Sequence, residues 1–413
     1  MDWNLRRDNR IVLRIIFLSS MKKFTYFGVV VAILLISSCS KETTKIPITN
    51  LALIPDGVML SVGGNDTLKA TYSPLNATDK TLIWSSTDKS IVTVNDSGKI
   101  VAIAPGKAKI KVSSSDKSLE AICEVIVTKC DKYLNGNRIS SLAIDNQGNI
   151  WGGSLGGIVF KFDGHSWSNF SFWSDSPLQT VIIYDIAVDS NNNLWFATSI
   201  GLSKFNGISL ENYNYLNSGL PNDFITEIVF EGQNLWIGTM NSGVIEFDGS
   251  NWKAYNTTNS GLGFNTINKI VIDKLGRKWI CTNSGGVSIF DNTNWTTYNP
   301  LNSGLLNQWV TALCIDKNDN KWIGSSGGVS LFNGTNWTNY TTLSFVQDII
   351  IDELGNKWFC TGGSGVFKFN GTNWTNFTKE NCGLSSDVVY EIIIDKLGRK
   401  WLGTNDGISV LQD

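Results

Sequence analysis

The chain has 413 residues with a formal net charge of −2 at pH 7, and 17% of its residues are charged. It contains no run of Lys or Arg and no basic stripe, so nothing in its composition favours nucleic acid as a partner. Its length allows a small domain and a larger one, each with its own core.

The region before residue 40 has the three parts of a secretory signal peptide. Residues 21–23 are Met-Lys-Lys, residues 29–36 are apolar, and residues 37–39 are Ser-Ser-Cys. The pattern is a positive segment, an apolar segment and small residues before a cut site. The apolar segment is too short to span a bilayer comfortably as a helix.

Residues 36–39, Ile-Ser-Ser-Cys, resemble the lipobox of bacterial lipoproteins. The resemblance implies a signal peptide over 21–38, cleavage before Cys39 and lipid attachment to its thiol, which would anchor the protein stably to a membrane. We expect an outer-membrane lipoprotein, facing either the periplasm or the surface, with a linker over 39–46. Residues 1–20 then read as upstream sequence from a misplaced start. An ordinary signal peptide with an incidental cysteine, or a transmembrane anchor, is the alternative.

Short alternating strands fill residues 47–128. The clearest pair is residues 91–94 and 99–103, separated by Asn95–Gly98, whose Asp-Ser-Gly sequence indicates a hairpin. Six or seven such strands in this length predict a β-sandwich with Trp84 in its core.

This segment resembles the group 2 bacterial Ig-like domains. The resemblance is carried by short motifs spread over the segment: residues 68–71 (Leu-Lys-Ala-Thr), 74–78 (Pro-Leu-Asn-Ala-Thr), 84–86 (Trp-Ser-Ser), 91–94 (Ile-Val-Thr-Val), Gly98 and 104–108 (Ala-Pro-Gly-Lys-Ala). It implies a spacer or an adhesion module on a cell-surface protein, and we favour the spacer.

A pattern of about 40 to 45 residues recurs seven times over residues 129–413. Each copy has a Trp near its middle, and the intervals between them are 44, 41, 43, 43, 36 and 43 residues. This period fits a four-stranded sheet and predicts a seven-bladed β-propeller, so the whole chain is expected to be all-β. We interpret these tryptophans as structural: Trp151, Trp195, Trp236, Trp279, Trp322, Trp358 and Trp401.

The last copy lacks its outer strand. Outer strands elsewhere read Trp-x-x-Tyr/Phe, as in residues 295–298, but the chain ends after the third strand of copy seven. Residues 130–133, Cys-Asp-Lys-Tyr, fit the same pattern with Cys in place of Trp. We predict that residues 129–133 complete the last blade, which would close the ring and remove two exposed sheet edges.

The repeats resemble the two-component regulator propellers. Residues 143–145 (Ala-Ile-Asp) with 149–151 (Asn-Ile-Trp), and 272–273 (Ile-Asp) with 278–280 (Lys-Trp-Ile), carry the resemblance. It implies the periplasmic sensor of a hybrid histidine kinase, responding to glycans or other small ligands. This chain has no kinase or DNA-binding part after the repeats, so we expect a binding protein rather than a direct signal transducer.

Motifs for catalysis, metals or cofactors are weak. The chain has one histidine, His165, in a predicted turn, and no Ser-His-Asp, P-loop or zinc-protease motif. Residues 189–193 and 316–320 faintly resemble calcium loops without the terminal Glu, and turn capping is the better interpretation of their Asp residues. We expect no metal, no cofactor and free, buried thiols at the cysteines after Cys39.

Aromatic and acidic residues cluster where loops enter the innermost strands. Such a set would suit a sugar, stacking on its C–H groups and bonding its hydroxyls. The candidate ligand-binding residues are Arg138, Tyr184, Asp185, Phe224, Glu227, Trp309, Phe345, Asp348, Tyr390 and Glu391.

Three functions remain open. The first is a lipid-anchored, monomeric, sensor-like protein that binds a glycan, a peptide or a protein. The second is a polysaccharide-acting enzyme that uses channel carboxylates. The third is an adhesion or structural module without a small-molecule site.

Overall fold

The computed structural model describes residues 45–173 and 181–412. Within these ranges the chain forms 37 strands and no helix, and so no helix there could cross a membrane. The expected signal peptide, Cys39 and most of the expected linker lie outside the described residues. Residues from Ile46 onward form one compact unit.

The N-terminal part of this unit is a β-sandwich. Strand β2 pairs with β9, β8 and β5 in a four-stranded sheet, and the opposite face consists of the β1–β4 pair and the β3–β7–β6 sheet. The nine strands are Asn50–Ile54 (β1), Gly57–Ser61 (β2), Asn65–Thr67 (β3), Lys69–Ser73 (β4), Leu82–Ser86 (β5), Val92–Val94 (β6), Lys99–Ala102 (β7), Gly106–Ser114 (β8) and Glu120–Thr128 (β9).

The sandwich core follows from strand alternation, since every second residue of β8 and β9 faces inward. Ile110, Val112 and Val125 are fully buried there, and Trp84 packs against the cluster while partly buried. The predicted hairpin is confirmed: Gly98 has φ of 81°, a value that favours glycine, between β6 and β7.

Seven four-stranded sheets follow, and in the first six the four strands are consecutive in the chain and run from the inside outward. The first three blades are Ile139–Ile144 (β11), Ile150–Ser154 (β12), Val159–Phe162 (β13), Trp167–Phe170 (β14); Ile183–Val188 (β15), Leu194–Thr198 (β16), Gly201–Phe205 (β17), Leu210–Tyr213 (β18); and Ile225–Glu231 (β19), Asn234–Thr239 (β20), Val244–Phe247 (β21), Trp252–Tyr255 (β22). The next three are Ile267–Ile272 (β23), Lys278–Thr282 (β24), Val287–Phe290 (β25), Trp295–Tyr298 (β26); Val310–Ile315 (β27), Lys321–Ser325 (β28), Gly328–Phe332 (β29), Trp337–Tyr340 (β30); and Val346–Ile351 (β31), Lys357–Thr361 (β32), Val366–Phe369 (β33), Trp374–Phe377 (β34). Blade seven has Val389–Ile394 (β35), Lys400–Thr404 (β36), Gly407–Leu411 (β37) and, as its outer strand, Cys130–Tyr133 (β10).

The ring is closed in the way that the repeat pattern predicts. Strand β10 pairs antiparallel with β37, with Cys130 opposite Leu411 and Tyr133 opposite Ile408. The innermost strands contact one another in sequence around the ring, and β35 of blade seven contacts β11 of blade one. The all-β prediction of a sandwich followed by a seven-bladed propeller is confirmed.

Each repeat Trp is buried between blades, with no more than 5% of its surface exposed. The acceptor for its indole N–H is a carboxylate in the turn between the first two strands of its own blade. Asp352 accepts the Trp358 indole at 2.9 Å and also caps the turn by accepting the Asn356 backbone N–H at 2.8 Å. The same carboxylate–indole bond recurs in the other blades as Asp145–Trp151, Asp189–Trp195, Glu231–Trp236, Asp273–Trp279, Asp316–Trp322 and Asp395–Trp401.

The sandwich and the propeller share one continuous stretch of strand. Strand β9 ends at Thr128 and β10 begins at Cys130, one residue later. At this point Ser61 of β2 donates its hydroxyl to the Cys130 carbonyl at 3.2 Å, and the Val62 N–H donates to the Thr128 carbonyl at 3.1 Å.

Candidate functional site

A β-bulge near the start of each innermost strand shapes the channel. In all seven blades the pairing with the second strand shifts by one residue after the first buried Ile or Val. Bulges re-aim side chains, and here the residue after the shift occupies the same place in every blade. We call these seven residues the inner ring: Ser141, Asp185, Glu227, Lys269, Ala312, Asp348 and Glu391.

A small residue pairs with each inner-ring residue. Gly238 pairs with Glu227, and a Cβ there would lie 2.8 Å from Ile267 Cγ2 of the next blade. Cys281 and Cys360 take this place in blades four and six and are fully buried. The small residues therefore let the next blade approach closely.

Three inner-ring carboxylates bond to the backbone of the next blade. Asp185 accepts the N–H of Ile228 at 2.9 Å, and Asp348 accepts that of Ile392 at 3.1 Å. Glu391 accepts the N–H of Leu142 in blade one at 2.5 Å. Each donor directly follows the inner-ring residue of its own strand. These carboxylates thus hold neighbouring blades together.

The fourth carboxylate pairs with the one cation of the inner ring. Lys269 Nζ lies 3.1 Å from Glu227 Oε1. Desolvation would lower the pKa of Lys269, but the surrounding carboxylates, led by Glu227, raise it well above its usual range. Burial raises the pKa of Glu227, Asp348 and Glu391. The inner ring therefore carries a positive charge on Lys269, and Glu227, Asp348 and Glu391 hold their protons more tightly than free side chains do.

A cavity of about 370 Å³ opens on one side of the inner ring, at the channel mouth. Residues one position before the inner ring line it: Ser140, Tyr184, Thr226, Asn268, Thr311, Gln347 and Tyr390. Ser140, Thr226, Asn268 and Thr311 donate to a carbonyl of the next blade, for example Thr226 Oγ1 to Ile267 at 2.7 Å. We call this space the mouth cavity.

A second cavity of about 430 Å³ lies along the same channel. It shares Asp185, Glu227, Lys269 and Glu391 with the mouth cavity and is otherwise lined by later residues of the innermost strands, such as Val229 and Val271. The charged inner ring therefore lies between the mouth cavity and this second part of the channel.

The structure brings six of the ten predicted site residues together. Tyr184, Asp185, Glu227, Asp348, Tyr390 and Glu391 line the mouth cavity.

The other four candidates lie outside its lining, one residue before the innermost strands. Arg138 donates to the Tyr390 hydroxyl at 2.8 Å. The rings of Trp309 and Phe345 pack edge to face with their centroids 5.3 Å apart, and Phe224 is 43% exposed. Ligand contact by any of the ten residues stays a prediction.

The sequence analysis looked for aromatic and acidic side chains, and so it missed Lys269 and the uncharged polar residues of the mouth cavity. A simple count would have found the inner ring: its residues lie ten positions before the blade Trp, or nine in blade three. The calcium-like loops are turn caps, because Asp189 and Asp316 accept N–H groups of their own turns. In the described part of the chain, no group of three or more His, Cys, Asp or Glu side chains could hold a metal ion.

Family models match two parts of the chain. Residues 47–125 match the bacterial Ig-like domain (group 2), and residues 133–156 and 177–199 match the two component regulator propeller. Both resemblances noted in the sequence are thereby confirmed as domain and repeat types.

Curated relatives share short segments with the chain. An uncharacterised protein of Clostridium acetobutylicum is 46% identical over 69 residues, which is 16% of this chain and 17% of that protein. An Ig-like virion protein of Serratia phage KSP90 is 33% identical over 84 residues, 20% of this chain and 33% of the phage protein. The chain thus spans at most a third of the length of these two relatives.

Solved structures share the propeller fold at low identity. The extracellular domain of a proposed hybrid two-component system, BT3049 of B. thetaiotaomicron, has a TM-score of 0.61 at 22% identity, covering 69% of this chain and 42% of that one. PorZ, described as a surface component of the type-IX secretion system of Porphyromonas gingivalis, has a TM-score of 0.56 at 18% identity, covering 78% and 55%. Virginiamycin B lyase from Staphylococcus aureus has a TM-score of 0.57 at 11% identity, covering 69% and 99%.

These structural similarities show the fold. A sensor domain, a secretion component and a lyase share it, so the fold alone does not indicate the activity of this chain. The chain carries a group 2 bacterial Ig-like domain and two-component regulator propeller repeats in an all-β structure.

Proposed function

We propose that this protein is a sensor-like binding protein of the bacterial cell envelope, anchored by lipid at Cys39, with an Ig-like spacer and a propeller that binds the end of a glycan. The observation that carries the proposal is the mouth cavity of about 370 Å³, whose wall combines tyrosine rings with amide and hydroxyl groups above the charged inner ring. Binding sites are concave and combine apolar surface with a few convergent polar groups. The match to regulator propeller repeats supports the sensor-like role.

The mouth cavity fits a sugar better than a flat partner surface. Tyr184 and Tyr390 offer aromatic faces, while Gln347 and Asn268 offer amide groups at the same level. Beneath them the Lys269 ammonium, which has three N–H donors, can donate to hydroxyl groups as well as to Glu227. A peptide or protein ligand is the other outcome that binding experiments would reveal.

We assign the four inner-ring carboxylates to ring stability rather than to acid–base catalysis. Asp185, Asp348 and Glu391 each accept a backbone N–H from the next blade, and Glu227 is paired with Lys269. A general acid or base needs an oxygen that can reach the substrate, and these side chains are occupied in holding the channel wall.

The test is a glycan array probed with the full chain in detergent, followed by calorimetric titration of each hit. The Tyr184→Ala variant should weaken glycan binding by at least about tenfold, since it removes a stacking surface from the cavity wall. Tyr215→Ala is the matched control because Tyr215 is 58% exposed on an outer loop, and its affinity should equal that of the wild type.

Two results would contradict the proposal: no glycan binding at all, or equal loss of affinity in both Tyr variants. Cell fractionation tests the anchor separately. Wild-type protein should partition with membranes and carry acyl chains by mass spectrometry, whereas Cys39→Ser should do neither.

A further inference from the structure

Two cysteines that are distant in sequence meet at the closure of the ring. Cys130 is the first residue of the closing strand β10, and Cys382 lies in the loop between β34 of blade six and β35 of blade seven. Their sulfur atoms are 2.9 Å apart, although the residues are separated by 252 positions. Both side chains are buried, with 1% and 3% of their surfaces exposed.

The backbone holds both residues in place. The Lys129 N–H donates to the Cys382 carbonyl at 3.1 Å, and Cys130 pairs with Leu411 in the sheet. Gly383 packs directly on Thr128, where a Cβ would lie 2.5 Å from Thr128 Cγ2, and its φ of 83° favours glycine. The closeness of the sulfur atoms therefore follows from main-chain contacts on each side of them.

The remaining cysteines behave differently. Cys123, Cys281, Cys314 and Cys360 lie in the sandwich core or in blade strands. In the part of the chain that the structure describes, none of these four makes a sulfur–sulfur hydrogen bond. The expectation of free, packed thiols fits these four residues, whereas the Cys130–Cys382 pair calls for its own explanation.

We propose that Cys130 and Cys382 form a disulfide that locks the closing strand into the propeller. A disulfide needs an S–S distance of about 2.05 Å, so each sulfur must move by roughly half an ångström from its place beside the other. The inference goes beyond binding at the mouth cavity and does not depend on it.

The oxidant is a disulfide donor, either a small-molecule disulfide or an oxidised dithiol protein. While the closing strand is docking and the sulfur atoms are still accessible, the Cys382 thiol loses its proton. Its thiolate attacks the donor disulfide and releases one donor thiolate, which takes up a proton. Cys130 then loses its proton and attacks Cys382 Sγ, the second donor thiolate leaves and is protonated, and the protein disulfide remains. Two protein thiols are oxidised and one donor disulfide is reduced to two thiols.

Burial determines when the bond forms. A donor cannot reach either sulfur in the closed ring, so oxidation takes place while β10 is docking during folding. Once formed, the bond is shielded from reductants in the same way, as is typical of structural disulfides.

The test is to refold the full chain with oxidised and reduced glutathione, then block free thiols under denaturing conditions without reductant. Peptide mapping should find Cys130 joined to Cys382, with Cys281 and Cys360 alkylated. Recovery of Cys130 and Cys382 as alkylated thiols after this treatment would overturn the proposal. This readout needs no variant and is unaffected by any failure to bind glycan.

A stability measurement gives a second, independent readout. Adding a phosphine reductant during refolding should lower the melting temperature of the wild type by about 5–10 °C, since the bond closes a long loop. The Cys130→Ala/Cys382→Ala variant should melt at the same temperature with or without reductant. Cys360→Ala, the matched control, should keep the full reductant effect. A wild-type protein whose melting temperature does not change with reductant would contradict the proposed disulfide.

Discussion

At the scale of single residues, the propeller depends on pairs of one carboxylate and one indole. Burying a Trp stabilises the fold through its large apolar surface but requires an acceptor for its N–H. A carboxylate at the end of each innermost strand meets that need, and in six of the seven blades it is an Asp that also caps the turn, as Asp352 does for Trp358 and Asn356. Turn capping could be predicted from the recurring Asp. The hydrogen bond to the indole could not be predicted, because it depends on strand pairing that brings the Trp, five or six positions later, back beside the turn.

Asp352→Ala should therefore lower the free energy of unfolding by about 1–3 kcal/mol, because it leaves the indole N–H of fully buried Trp358 without an acceptor. Urea unfolding of Asp352→Ala, Trp358→Phe and the double variant would isolate the pair in a double-mutant cycle. Asp291→Ala is the control, since Asp291 caps an exposed outer turn and touches no indole. A coupling energy of zero would show that Asp352 acts through the turn alone.

At the scale of elements, the outer strand ends in a Tyr or Phe whose ring lies against the blade Trp in six of the seven blades. The closing strand supplies Tyr133, whose ring lies 6.1 Å from Trp401 and 5.7 Å from Trp167 of blade one. The Trp-x-x-Tyr spacing was enough to predict this strand from sequence, because Tyr133 keeps the last aromatic residue of the pattern and stacks on Trp401. Cys in the first place costs the strand one aromatic contact and leaves a thiol beside Cys382.

Tyr133→Ala should destabilise the protein by about 2–4 kcal/mol and open the closing strand. Tyr340→Ala is the matched variant, since Tyr340 ends the outer strand of blade five and stacks on Trp322 as Tyr133 stacks on Trp401. Both variants should lower the melting temperature by similar amounts. Only Tyr133→Ala should speed amide hydrogen exchange in Gly407–Leu411, measured with mass spectrometry. Equal exchange in the two variants would mean that β10 contributes no more to closure than an ordinary outer strand.

At the scale of the whole molecule, two sets of acids have pKa shifts of opposite sign. In the turns, burial would raise the pKa of residues such as Asp352 and Asp395, but hydrogen bonds from Trp and turn residues hold it below its usual value. In the inner ring, burial dominates and raises the pKa of Glu391 and Asp348. The sequence could not separate the two sets, since the difference lies in whether a bulge turns the side chain into the channel.

Stability should therefore peak near pH 4–5. The turn acids, with lowered pKa, stabilise the fold fully above their unfolded value of about 3.9, and this stabilisation is lost as the pH falls through their folded values. The inner-ring acids, with raised pKa, favour the fold in their protonated form. The free energy of unfolding should therefore decline as the pH rises above about 4.3 toward their folded values.

Chemical unfolding from pH 2 to 8 measures this profile. Glu391→Gln keeps an oxygen for the Leu142 N–H and removes the charge, so it should be more stable than the wild type at pH 7 and equal to it at pH 4. Asp352→Asn should instead reduce the loss of stability as the pH falls below about 4, because it removes one of the turn acids with lowered pKa. If Glu391→Gln is less stable than the wild type at pH 7, the sign assigned to the inner ring is wrong.

The order of synthesis adds a requirement that follows from the position of β10. The strand that completes blade seven is made before any other part of the propeller, and its partner, β37, is made last. The emerging chain must therefore keep Cys130–Tyr133 unpaired while six blades take shape, and closure is a late, long-range step. A nascent chain halted before Gly407 would leave that edge available to any passing strand.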